Sequence, residues 1–219
     1  MIHYFKNWKE YWKYKGNIKE KDLRILSGYN TPGLSIISNN SHKMLVKSIV
    51  RKLKLDNNDI LLDVGCGAGV LTLPLSNFVK KIIGIDYSPS MIRHIPKRIE
   101  THIAQASNIP FDNETFNKVL CHSVIQHFPN LNYCKKAAKE MYRVCKFGGL
   151  IYIVDIPDLA KEKAYMIARN KIPDKHNLKR LQYKKIFFKK MFPNVKIFDQ
   201  KLKGYGNSKY RFNVLIKKV

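Results

Sequence analysis

The sequence predicts an α/β fold: a doubly wound, mostly parallel sheet with an antiparallel hairpin at its C-terminal end. Three observations predict it. From residue 46 onward, short apolar runs, several of them β-branched, alternate with stretches of helical periodicity. The first run ends in a glycine-rich turn, at the kind of position where such sheets bind ligands. The last two runs flank Gly-Tyr-Gly-Asn, a turn sequence suited to an antiparallel pair.

Residues 1–45 read as a cap or lid. Tyr4, Phe5, Trp8, Tyr11, Trp12 and Tyr14 stand among lysines in short helical segments, and Asn30-Thr31-Pro32-Gly33 reads as a turn. With Ser41 as N-cap, Val46, Ile49, Val50 and Leu53 mark an amphipathic helix. Residues 46–156 form the core, with strands at Ile60–Val64, Lys81–Ile85, His102–Ala106, Lys118–His122 and Leu150–Asp155. Before the last strand, Cys134, Ala137, Ala138, Met141 and Cys145 share one helical face, with Gly148-Gly149 past its end. Residues 157–193 read as a substrate-side insertion of two helices. Residues 194–219 supply the hairpin, Val195–Leu202 and Lys209–Lys217, and all four parts make one domain.

Composition narrows the class. The 219 residues are 45% hydrophobic and 26% charged, enough for a packed core and unlike a disordered or fibrous chain. No run of 18 apolar residues occurs, and the Lys-rich start lacks a signal peptide's apolar stretch. The expectation is a cytoplasmic protein that neither spans a membrane nor leaves by that route. Cys66, Cys121, Cys134 and Cys145 have neither disulfide-like nor metal-ligand spacing and read as reduced thiols, with no metal site.

The net charge of +25 invites a nucleic-acid reading. Yet 33 Lys stand against 8 Arg, beside 18 Asn and 24 Ile, a pattern of AT-rich codons rather than of phosphate-matching guanidinium. The local excess is more informative: 11 Lys and Arg against Glu162 and Asp174 between residues 161 and 190. It suits either an anionic acceptor or a solvated helix face. RNA is the alternative partner.

The chemistry gathers at two strand ends. Leu61-Leu62-Asp63-Val64 runs into Gly65-Cys66-Gly67-Ala68-Gly69, where glycine lets backbone turn sharply and approach a ligand. A dinucleotide fingerprint would need glycine at position 70, which is Val70, so nicotinamide binding is disfavoured. The second strand ends in Asp86, 17 residues after Gly69. Alone, Asp86 reads as an N-cap for the helix at Ser88-Pro89. Paired with the glycine turn at that spacing, it suits a ribose diol better.

These segments resemble class I S-adenosylmethionine-dependent methyltransferases of the small-molecule type. The resemblance runs from Leu61–Gly69 through Gly84-Ile85-Asp86-Tyr87-Ser88-Pro89-Ser90-Met91 and Ala104-Gln105-Ala106-Ser107-Asn108-Ile109-Pro110-Phe111. It continues through Phe116–Phe128 and Arg143-Val144-Cys145-Lys146-Phe147-Gly148-Gly149, covering about 60–156 in family order. It implies a Rossmann-like, seven-stranded sheet with a reversed terminal strand, S-adenosylmethionine as cofactor and S-adenosylhomocysteine as product. It further implies that Asp63, Gly65, Cys66, Gly67 and Gly69 cradle the methionine part, Asp86 holds the ribose, and Tyr87 and Met91 flank adenine. Gln105, Ala106 and Ser107 fall where the family reads adenine. Gln105 replaces a frequent acidic residue and implies weaker anchoring, and Phe147 replaces a usual proline.

On the acceptor side, His122 and His127 follow the fourth strand. Each can serve as general base for a hydroxyl acceptor; His127 can instead pack locally, and His122 can touch the cofactor. Asp/Asn-Pro-Pro-Tyr and Pro-Cys, which serve base methylation, are absent after that strand, where Cys121-His122-Ser123-Val124 stands. The expected reaction is in-line methyl transfer, at oxygen, to a small polar acceptor of sugar, phosphorylated or secondary-metabolite type. RNA methylation or RNA binding is the alternative. Tyr205 and Arg211 in the hairpin and Tyr29 before the core are the expected acceptor contacts, with Tyr11 and Tyr14 as further lid residues.

Overall fold

The computed structural model describes residues 4–29, 37–168, 176–192 and 194–219. Within them lie strands β1 (Ile60–Val64), β2 (Lys81–Asp86), β3 (Glu100–Ile103), β4 (Phe116–His122), β5 (Cys145–Pro157), β6 (Val195–Asp199) and β7 (Arg211–Lys217). They form one sheet of order β3-β2-β1-β4-β5-β7-β6. β3, β2, β1, β4 and β5 pair in parallel, and β7 runs antiparallel to both β5 and β6.

Alternation along the buried strands builds a core on each face. Leu62, Val64, Val119, Cys121, Ile151 and Ile153 pack on one side with Ala137, Ala138 and Met141 of helix α6 (Leu131–Val144). Leu61, Ile82, Leu120 and Val154 pack on the other with Leu45, Ile49 and Leu53 of α3 (Asn39–Leu53). The remaining helices are α1 (Trp8–Asn17), α2 (Leu23–Leu26), α4 (Thr72–Leu75), α5 (Pro89–Ile92), α7 (Glu162–Ala168) and α8 (Lys185–Lys189). Among the described residues no helix is long and apolar enough to cross a membrane. The four cysteines are free and buried.

Several boundaries depart from expectation, each for a local reason. The cap of α3 is Ser38, not Ser41. Ser38 has the extended backbone (φ −67°, ψ 162°) that a cap needs, and its Oγ accepts from the Ser41 amide at 3.1 Å. β3 lies at Glu100–Ile103 rather than 102–106, because its pairing with β2 ends at Asp86 and Ile103, after which the chain turns across the strand ends. Gly148-Gly149 lie inside β5, since α6 stops at Val144 and Cys145 is already extended. Gly-Tyr-Gly-Asn is not a tight turn. β6 and β7 are joined by residues 200–210, and that loop folds inward to bury Gln200, Tyr205 and Asn207. The expected turn at Asn30–Gly33 lies outside the described residues.

Candidate functional site

Beyond the C-terminal ends of β1, β2 and β4 lies a cavity of about 950 Å³. Its floor is backbone held in unusual conformations. Gly65 has φ +76° and Gly67 φ +54°, in the region that favours glycine. A Cβ on Gly65 would run into the Val124 side chain, so that residue is required by packing as well as by dihedral angle. The Gly65 and Cys66 amides both donate to the Ile85 carbonyl, at 2.7 and 3.0 Å, tying the turn to the end of β2.

Two carboxyls face this floor. Asp86 Oδ2 accepts from the Gly67 amide at 3.0 Å and Oδ1 from the Ser88 amide at 2.9 Å. Burial pushes its pKa up to about 6 against the opposing pull of those amides. Asp63 is buried and accepts from Thr72 Oγ1 at 2.7 Å; burial likewise raises it to about 6, with the nearby Asp86 charge adding to the rise. Both are poised to gain from a ligand that offers hydroxyl donors or positive charge. Asp86 is not the N-cap of α5, which is Ser88; its two oxygens instead hold the Ser88 and Gly67 amides.

Farther along, Tyr87, Met91, Ala104, Gln105, Ala106 and Tyr133 line the cavity. Tyr87 donates to the Trp8 carbonyl at 3.1 Å, and burial raises its phenol well above the ordinary value. Gln105 is exposed, and its Oε1 is 3.5 Å from the Tyr133 hydroxyl. Gly69 and Ser107 do not line the cavity. Gly69, at φ +84°, instead leaves room for Ile95 beneath the turn.

The roof comes from the N-terminal segment. Trp8, Trp12, Ser27 and Tyr29 line the cavity, whereas Tyr11 and Tyr14 do not. Helix α1 is held across α5 by contacts to its own backbone. The Gly16 carbonyl accepts from Arg93 Nη2 at 2.8 Å and lies 2.9 Å from His94 Nε2, and Lys13 O accepts from Ser90 Oγ at 3.1 Å. Trp8 Nε1 donates to Lys179 O at 3.1 Å.

The inner end carries the histidines. His122 Nδ1 shares a 3.0 Å hydrogen bond with the Tyr29 hydroxyl, while its buried Nε2 has no partner among the described residues. Desolvation holds its pKa down at about 4. His127 is half-buried, its ring centroid 4.3 Å from Trp8 and 5.2 Å from Trp12. Burial, then positive charge from Arg180, His176 and Arg211, hold it well below the usual imidazole value. Both rings are neutral at pH 7.

Behind Ser123, which lines the cavity, stands Asp155, buried and at φ +63°. Asp155 Oδ2 accepts from Ser123 Oγ at 2.9 Å and from the Tyr205 hydroxyl at 3.1 Å, and Oδ1 accepts from Gln200 Nε2 at 3.2 Å. Tyr205 and Arg211 therefore sit one layer behind the cavity wall rather than on it. Sequence reasoning missed Trp8, Trp12, Tyr133 and Asp155. The i, i+4 spacing of the tryptophans marks one helix face, and Asp155 repeats the placement of Asp63 and Asp86, a carboxylate near a strand's C-terminal end.

Residues 62–153 match a family model described as "Methyltransferase domain". A sterol 4-C-methyltransferase of Caenorhabditis elegans, strm-1, is 30% identical over 123 residues, which are 52% of this chain and 36% of that protein. The chain spans between about a third and about half the length of the curated relatives it matches first. Among solved structures, phosphoethanolamine N-methyltransferase 1 of Haemonchus contortus, in complex with phosphoethanolamine and S-adenosylhomocysteine, aligns with TM-score 0.73 at 14% identity. It covers 96% of this chain and 48% of that one. The N-methyltransferase NodS of Bradyrhizobium japonicum, in complex with S-adenosylhomocysteine, aligns with TM-score 0.69 at 13% identity over 97% and 98% of the two chains. At those identities the agreement is one of fold.

Proposed function

Because residues 62–153 match the model described as "Methyltransferase domain", we propose that the protein is a class I, S-adenosylmethionine-dependent methyltransferase that transfers a methyl group, at oxygen, to a small polar acceptor. The observation that carries this reading is the junction of Gly67 and Asp86. There a glycine amide and a half-buried carboxylate meet at 3.0 Å on the floor of a cavity of about 950 Å³. The fit of the cofactor follows from the floor itself. A Cβ on Gly65 would collide with Val124 and Gly67 sits at φ +54°, and among the described residues the two carboxyls raised to about 6 have no cation beside them.

In this reading Asp86 receives the ribose hydroxyls, while Asp63, Gly65, Cys66 and Gly67 hold the methionine part. Tyr87 and Met91 bracket the adenine, and Gln105 and Ala106 border it, with Tyr133 beside Gln105. Gly69 and Ser107 support the loops from behind. When bound, S-adenosylmethionine supplies a methyl group activated by a sulfonium, and the protein's task is alignment and exclusion of water. Trp8, Trp12 and Tyr29 cover the site against water.

A hydroxyl acceptor must also lose a proton. His122 takes it at Nε2, the buried atom with no partner, while Tyr29 holds the opposite ring nitrogen. His127 is the second candidate for this step, and its packing between two tryptophans supports a positioning role. Calorimetry with S-adenosylhomocysteine tests the proposal. One-site binding that weakens about 10- to 100-fold in Asp86→Ala is expected, as for loss of a charged hydrogen-bond acceptor. Absence of binding by the unaltered protein overturns the reading.

A further inference from the structure

Arg211 is only 3% exposed, yet its guanidinium is poorly satisfied. Nε lies 3.6 Å from Asp155 Oδ1, too far for a hydrogen bond, and has no hydrogen-bond partner. The guanidinium carbon stands 5.3 Å from the centroid of the Tyr165 ring. Among the described residues Nε is the guanidinium's one buried nitrogen without a partner. A guanidinium carries five N–H donors, and burying them unpaired is costly.

Asp155 cannot meet that demand. Its oxygens already accept from Ser123, Tyr205 and Gln200, so it balances the charge of Arg211 without satisfying its fork. Two further polar atoms on the same network are buried and unpartnered among the described residues, Gln126 Oε1 and Gln200 Oε1. Gln126 belongs to it through Nε2, which donates to Ser123 Oγ at 2.9 Å. Arg180 bears on the same place: it lies over the Trp8 ring at 5.6 Å and, with Arg211, acts on His127. Arg211, Gln126 and Gln200 thus all join the network of Asp155 and Ser123, one layer behind the cavity that Ser123 lines.

We propose that Arg211 forks onto an anionic group, a carboxylate or a phosphate, of the methyl acceptor, behind Ser123 and with Arg180 as the second cation. Gln126 and Gln200 then accept from hydroxyl or ammonium hydrogens of the same small molecule. A planar guanidinium matches either anion in a bidentate manner. Its burial excludes a polymer's backbone phosphate. The proposal rests on the methyltransferase reading and narrows its acceptor class.

The test titrates the full chain, saturated with S-adenosylhomocysteine, with inorganic phosphate and separately with acetate, by calorimetry. Saturable one-site binding of at least one anion is expected, and the preferred anion identifies the acceptor's group. Arg211→Met should weaken that binding about tenfold or more, Arg211→Lys should retain part of it, and Lys163→Met, at an exposed lysine, should leave it unchanged. Unaltered affinity for S-adenosylhomocysteine in each variant reports an intact fold; should Arg211→Met not fold, Arg211→Lys carries the comparison. No saturable anion binding, or equal binding by the Arg211 variants, overturns the anion site alone. Failure of the unaltered protein to bind S-adenosylhomocysteine overturns the reading beneath it.

Discussion

The floor and the roof of the cavity are built by opposite means. The floor is backbone: two positive-φ glycines, amides that donate to the Ile85 carbonyl, and Asp86 receiving the Gly67 amide. Its parts lie within about 25 residues of chain and inherit the rigidity of paired strands. The roof is long-range: α1 meets Tyr87, Ser90, Arg93 and His94 across separations of 77 to 79 residues, and Trp8 meets Lys179 across 171. A floor of this kind carries its instructions locally, whereas a roof of this kind exists only once the rest has folded.

The contrast can be broken in several ways. The largest effect is expected at the floor. Gly65→Ala adds a Cβ at φ +76° against Val124, a strain of about 3 kcal/mol. It should lower Tm and weaken S-adenosylhomocysteine binding about 100-fold; a neutral outcome would mean that the turn is softer than its hydrogen bonds imply. At the roof, Trp8→Ala combined with Trp12→Ala should weaken binding about tenfold through faster dissociation, with far less change in Tm. Stopped-flow release measurements read this directly. If the double variant unfolds instead, floor and roof are not separable.

The floor's carboxyls give a pH signature. Asp63 and Asp86 titrate near 6, raised first by burial, and their ionised forms are the ones a cation or hydroxyl donors favour. Affinity for S-adenosylmethionine should therefore fall as pH drops from 7 to 5, by about tenfold, with proton release on binding near pH 6. Stability of the ligand-free protein runs the other way. A carboxyl whose folded pKa exceeds its unfolded value binds more protons when folded, so stability falls as pH rises from about 4 to about 6. Flat profiles in both measurements would remove these two groups from the site. The smallest effect is expected for His127→Ala, with kcat changed by only about threefold if the ring merely positions the tryptophans. A loss of about 100-fold or more would move proton transfer from His122 to His127.

The legibility of the sequence follows the same division. β1 matches its expected bounds and β2 differs by one residue, because their apolar runs are short, β-branched and bounded by turn residues. Asp63, the glycine turn and Asp86 were readable because the spacing along the chain is itself the geometry. The tryptophans of α1 were visible only as an aromatic cluster. Which of them face the cavity depends on Gly16, where helix and Ser90 backbone approach so closely that a Cβ would collide. The sequence puts Tyr205 in the turn of a hairpin and Arg211 in its second strand, both as acceptor contacts. They lie behind Ser123 instead, since the loop from 200 to 210 is drawn inward by the buried charge of Asp155. No local pattern announces a carboxylate that collects partners from Ser123 before it and from the 200–210 loop and β7 after it.

The placement of β7 has a consequence for assembly during synthesis. β6 is made first, yet its one partner in the sheet is β7, which in turn fills the edge of β5. As the chain emerges from the ribosome, β5 waits with an open, apolar edge until residues 211–217 arrive. That edge is then open to pairing with another nascent chain. Folding of this protein thus finishes in the interior of its sheet rather than at its border.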